Sequence, residues 1–116
     1  MKLSEAIRLG SLLKPQAFGG MWVGEGSCAF GAALDAIGIN ALTMATGIWP
    51  WLRAPMKCPV CGQPEVIVTL VISFHLNDKH LWTREEIADW VATVEPQEIE
   101  AAYSVQPKCA ASGVPE

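Results

Sequence analysis

The spacing of two cysteines and two histidines constrains the fold of this chain more than any other feature of its sequence. The pattern is Cys58-x2-Cys61-x13-His75-x4-His80, which lies within the spacing window of tetrahedral zinc sites that use two thiolates and two imidazoles. If one ion binds all four side chains, residues separated by up to about one-fifth of the chain must meet. The sequence therefore predicts a structural zinc site formed by Cys58, Cys61, His75 and His80.

Several alternatives to this ligand set stay open at the level of sequence. The cysteine pair could be a metal-free dithiol or a redox pair, and the histidines could be turn residues that hydrogen-bond to the backbone. Cys28 or Cys109 could replace a ligand, because separation along the chain does not determine separation in the fold. Glu65 and an apolar run stand where DNA-reading fingers place an aromatic residue and a leucine, so that class of finger is not expected.

Length and composition predict one domain. The chain has 116 residues, of which 51% are hydrophobic and 17% charged, a balance that is too apolar for a disordered chain. We expect a single compact helix-rich domain over residues 1–106 and a loose tail over residues 107–116.

The charge and hydropathy of the chain argue against nucleic-acid-binding and membrane proteins. The net charge is -4 and the basic residues are scattered, whereas binding to nucleic acid requires clustered cations. The longest uncharged stretch, residues 36–52, is interrupted by glycine and proline, and the N-terminal segment lacks the apolar core of a secretory signal. We therefore expect a cytoplasmic protein that binds neither nucleic acid nor membrane.

Helical periodicity and capping signals predict a mainly α fold. Residues 66–74 are a continuous apolar run that is rich in β-branched side chains yet also permits a helix, so a short β element stays open there. The first predicted helix is capped by Ser4 and ended by Pro15, and the second is capped by Ser27 and ended by Gly38. A short third helix is predicted within residues 40–55. The fourth begins at Arg84 behind a Thr83/Glu86 capping box, and the last runs through Ile99, Ala102 and Tyr103.

A second group of residues suggests thiol chemistry. Cys28 stands at the start of the second predicted helix, where a thiol pKa is lowered, and His75, Asn77 and Asp78 follow later in the chain. A cysteine followed by a histidine and then by Asn or Asp is an order that a thiol hydrolase can use. The sequence therefore offers a thiol-dependent hydrolase as an alternative function.

The glycine-rich loop 19–28 suggests a third function. Gly24 and Gly26 leave backbone N–H groups accessible just before a helix, and Ser27 adds a hydroxyl group. Such a loop can hold an anion. Binding of a small anionic or nucleotide-like ligand by Gly24, Gly26 and Ser27 is the corresponding hypothesis.

Two short motifs carry a resemblance to a known family. The segment 28–34 reads C-A-F-G-A-A-L, and Asn77-Asp78 is followed by T-R-E-E-I at residues 83–87. Over residues 28–37 and 75–94 the chain resembles a family of small bacterial and phage proteins of uncharacterised function. The resemblance implies a helical domain in which the Cys28 helix and the Asn77-Asp78 turn belong together, and it implies no activity. The Cys58/Cys61 pair departs from this pattern and looks like an insertion.

The function favoured by these features is that of a small non-enzymatic binding or adaptor protein of phage or prophage origin. Five tryptophans and few charges favour an apolar association surface, and hence a homo-oligomer or a protein partner. Trp49 and Trp51, in a proline turn, are expected at that surface, whereas Trp82 and Trp90 are expected to lie under the final helix.

Overall fold

The computed structural model describes residues 1–40 and 42–96, and its elements are short helices with two small hairpins. The mainly α prediction is confirmed. No helix among these residues is long and apolar enough to cross a membrane. The elements are α1 (Leu3–Gly10), β1 (Trp22–Val23), β2 (Gly26–Ser27), α2 (Ala29–Ala36), α3 (Leu42–Ile48), a 3₁₀ turn (Pro50–Arg53), β3 (Met56–Lys57), β4 (Pro64–Glu65), α4 (Val68–Leu70), a π-helix (Val71–Lys79) and α5 (Arg84–Val94).

Helix α1 is the centre of the packing, since it contacts both α2 and α5. Leu3, Ile7 and Gly10 lie on its buried face. Gly10 is required there because a Cβ atom at this position would lie 1.6 Å from the carbonyl oxygen of Ala32 in α2. The absence of a side chain at Gly10 thus allows the two helix backbones to approach closely.

Buried Arg84 hydrogen-bonds to the loop after α1 and to strand β2. Its guanidinium group donates to the Ser27 hydroxyl at 3.0 Å, and also to the carbonyl oxygens of Ser27, Ser11 and Lys14. Burial lowers the pKa of Arg84 from its ordinary value. Hydrogen bonds to these four acceptors replace much of the hydration that the guanidinium group loses on burial.

Two predicted helix caps lie one or two residues away from the observed ones. Helix α1 begins at Leu3, and the Ser4 hydroxyl donates to Glu95 instead of capping. The N-cap of α2 is Cys28, because Ser27 is held in β2 and its hydroxyl accepts from Arg84. The Thr83/Glu86 capping box is confirmed, with N–H···O distances of 3.1 and 2.9 Å.

The question left open at residues 66–74 is settled in favour of a helix. Val68, Val71, Ile72 and Leu76 are fully buried, and their spacing of three and four residues places them on one helical face. Burial on this face outweighs the strand preference of β-branched side chains. The strand β4 lies just ahead, at Pro64–Glu65.

The tryptophans are placed differently from the sequence-based expectation. Trp49 is only 5% exposed and donates its indole N–H to the carbonyl oxygen of Met1 at 3.0 Å, so its predicted surface position is wrong. Trp51, Trp82 and Trp90 are all half-buried. The predicted last helix and the tail lie outside the described residues.

Candidate metal centre

Cys58, Cys61, His75 and His80 come together in the fold. Each offers one ligand atom, and these four atoms all lie within 4.8 Å of one another. Ligand atoms of a tetrahedral zinc site, with Zn–S of about 2.3 Å and Zn–N of about 2.0 Å, are roughly 3.3–3.8 Å apart. The Cys61 Sγ to His75 Nδ1 distance is already 3.5 Å. The four side chains are therefore close enough to hold one metal ion.

The hairpin β3–β4 positions the two cysteines. The N–H of Cys58 donates to the carbonyl oxygen of Gln63, and the N–H of Gly62 donates to that of Cys58, both at 2.9 Å. Gly62 has a φ of +75°, a conformation that glycine adopts without strain. The N–H of Val60 points at Cys58 Sγ, 3.4 Å away. This tight turn directs both sulfur atoms to the same side.

The π-helix positions the two histidines. In an α-helix, residues five apart point in directions that differ by about 140°. Here the N–H of His80 donates to the carbonyl oxygen of His75 at 2.7 Å, which is the hydrogen bond that closes a π-helical turn. The two imidazole centroids are consequently 6.0 Å apart. The wider turn places both rings beside the cysteine hairpin.

Glu65 belongs to the site, although sequence reasoning treated it only as a departure from a finger pattern. Its Oε2 lies 2.5 Å from His75 Nε2, while His75 Nδ1 faces Cys61. Metal-bound histidines commonly donate their second ring N–H to a carboxylate, which fixes the tautomer and strengthens the ligand. The sequence signal that could have identified Glu65 is its position four residues after Cys61, in the second strand of the cysteine hairpin.

The surroundings of His80 and Cys61 also suit a metal ion. His80 Nε2 is buried and has no hydrogen-bond partner among the described residues. Cys61 is exposed, and the backbone hydrogen bond from Gln63, with smaller contributions from His80, Cys58 and His75, lowers its pKa to about 6. Cys61 is thus mostly thiolate at neutral pH, the form that binds metal.

The Cys28 group is not assembled as a thiol hydrolase would require. Cys28 is 1% exposed and burial raises its pKa, so the thiol stays protonated. The ring nitrogens of His75 face Cys61 and Glu65. Asn77 is buried and hydrogen-bonds to the backbone of residues 17 and 29. Only Asp78 approaches Cys28, where its charge raises the thiol pKa further.

The residues proposed to bind an anion have structural contacts. Gly24, with a φ of +58°, forms the β1–β2 turn. A Cβ atom on Gly26 would lie 2.9 Å from the carbonyl oxygen of Pro15, and the N–H of Ser27 donates to that same oxygen. These contacts account for the residue types, and anion binding by this loop stays a prediction.

Comparison with known proteins gives no relative: no protein-family model, curated protein or solved structure matches the chain.

Proposed function

We propose that this chain is a small binding protein whose fold depends on one structural zinc ion held by Cys58, Cys61, His75 and His80. The convergence of these four ligand atoms within 4.8 Å carries the proposal. Two thiolates and two imidazoles in a tetrahedral arrangement are the donor set that zinc prefers.

A structural role fits this site better than a catalytic one. Catalytic zinc keeps one coordination position for water or substrate, whereas four protein ligands complete the tetrahedron. Cys58 is the one buried residue of the hairpin that carries the cysteines, residues 56–65. The metal would therefore supply the tertiary contacts that the hairpin lacks.

The test of this proposal is the zinc content of the full chain purified under reducing conditions. We expect one zinc ion per chain by native mass spectrometry and elemental analysis, and loss of that zinc in Cys58→Ser and His80→Ala. Cys109→Ser is the matched control and should keep its zinc. A metal-free wild-type chain that also fails to take up added zinc would refute the proposal.

Glu65→Gln is expected to weaken zinc binding about tenfold, at the lower end of the effect of losing an outer-sphere carboxylate. The substitution keeps the shape of the side chain but removes the charge that strengthens His75 as a ligand. The measurement is competition for zinc against a chromophoric chelator. Glu25→Gln, at an exposed position in the β1–β2 turn, should bind zinc as the wild type does. Equal affinities for all three proteins would exclude a role for Glu65.

We further propose that the binding role involves self-association. Trp82 and Trp90 are half-buried and line a groove of about 400 Å³ with Glu86, Asp89 and Thr93. Half-buried indoles are frequent in protein interfaces. Light scattering at tens of micromolar should give the mass of a dimer or larger assembly, and Trp90→Glu should shift it to a monomer. A monomeric wild type would contradict this part of the proposal.

A further inference from the structure

A second cavity, separate in its residues from the metal site, lies beside Cys28. Its volume is about 280 Å³, close to the lower limit of small-molecule sites. Three separate parts of the chain form its walls: the glycine-rich loop, the N-terminus of α2, and the α4–π-helix segment. The side chains that line it are those of Met21, Cys28, Leu70, Ser73, Phe74 and Asp78.

The charge of this Cys28 pocket comes from Asp78. Asp78 carries the only carboxylate among the described residues that line the pocket, and no lysine, arginine or histidine lines it. Asp78 Oδ1 accepts from Asn77 Nδ2 at 2.8 Å, and no ion pair within the described part of the chain involves Asp78. The carboxylate therefore keeps an uncompensated charge beside an apolar wall.

Arg84 does not neutralise this pocket. Its charge is near enough to interact with Cys28, but its N–H groups donate to Ser27 and to loop carbonyl oxygens, and it does not line the cavity. An anion entering the pocket would meet the Asp78 carboxylate. A cation would gain from that carboxylate.

We propose that the Cys28 pocket binds a small organic amine, with the ammonium group at Asp78 and an apolar body against Met21, Leu70 and Phe74. A cavity of this volume accommodates a ligand of roughly ten heavy atoms or fewer. Because none of these side chains is a zinc ligand, the pocket and the metal site can be tested separately.

The experiment compares three probes of similar size on the zinc-loaded chain: benzylamine, benzyl alcohol and benzoate. Binding is followed by NMR, with backbone shifts at residues 19–21, 28 and 70–78 as the signature of the pocket. We expect benzylamine to bind at least tenfold more tightly than benzyl alcohol, and benzoate to bind most weakly. Preference for benzoate, or no shift with any probe at millimolar concentration, would overturn the proposal.

Two variants assign the site. Asp78→Asn should abolish the preference for benzylamine over benzyl alcohol, whereas Asp89→Asn, in the tryptophan groove, should keep it. Ser73→Met places a larger, flexible side chain at the pocket wall and should weaken all binding without removing zinc. If Asp78→Asn fails to fold, Ser73→Met still decides: unchanged benzylamine binding in that variant would place the amine outside the Cys28 pocket.

Discussion

Removing the proposed zinc ion is expected to lower the melting temperature of the protein by roughly 15 °C or more. A ligand present at about a thousand times its dissociation constant stabilises the folded state by about 4 kcal/mol, and a domain of this size loses about 4–8 °C per kcal/mol. Structural zinc sites commonly have dissociation constants low enough to give at least this stabilisation. The measurement is a thermal melt of the loaded chain with and without a strong chelator, and re-addition of zinc should restore the original transition.

The loss of order should concentrate at the hairpin and the end of the π-helix. The hairpin has little buried surface of its own, and a π-helix is a rare conformation that has to be stabilised by its surroundings. Helices α1, α2 and α5 bury their faces against one another and should stay protected. Hydrogen exchange of the chelated chain should therefore rise at residues 56–65 and 75–82. Uniform loss of protection would mean that zinc holds the whole fold, and no change anywhere would exclude a structural role.

The four residues of the candidate metal site could be predicted from the sequence, but their geometry could not. The spacing of Cys58 and Cys61 predicts a tight metal-binding turn, because only two residues separate the cysteines and a nearby proline and glycine restrict the backbone. The side chains of His75 and His80 lie on the same side of the helix because of a π-helical hydrogen bond, and no residue pattern in the chain predicts that bond. Glu65 joins His75 only because β4 returns beside the π-helix. Contacts of this kind depend on tertiary packing.

The fold was predictable where local signals decide the structure. The capping box at Thr83 forms as expected because both of its hydrogen bonds are local. The cap of α2 moves from Ser27 to Cys28 because Arg84, which is distant in sequence, takes the serine hydroxyl. Trp49 is buried because its indole reaches Met1, although its proline turn favours the surface. Long-range hydrogen bonds therefore account for these two discrepancies.

One of these long-range networks is centred on Asn77. Its side chain is completely buried and all four of its hydrogen-bonding positions are used. Oδ1 accepts from the N–H of Ala29 at 3.2 Å and from Gln16 Nε2 at 2.8 Å. Nδ2 donates to the carbonyl oxygen of Ala17 at 2.9 Å and to Asp78 Oδ1 at 2.8 Å. The amide thus connects the π-helix, the first turn of α2 and the loop after α1.

Asn77→Ala is expected to lower the free energy of unfolding by about 3–5 kcal/mol, because it leaves buried polar groups unpaired at about 1–3 kcal/mol each and creates a cavity. Gln16→Ala removes one of the four contacts of Asn77, together with the hydrogen bond from Gln16 Nε2 to the carbonyl oxygen of Trp82 at 2.9 Å, so it should cost about 1–2 kcal/mol. Asn77→Asp should be at least as harmful as Asn77→Ala, since a carboxylate cannot donate to Ala17 and would face Asp78. Urea denaturation of the zinc-loaded variants measures all three. A cost below about 1 kcal/mol for Asn77→Ala would show that water replaces the amide, and that the connection between α2 and the π-helix relies on apolar packing instead.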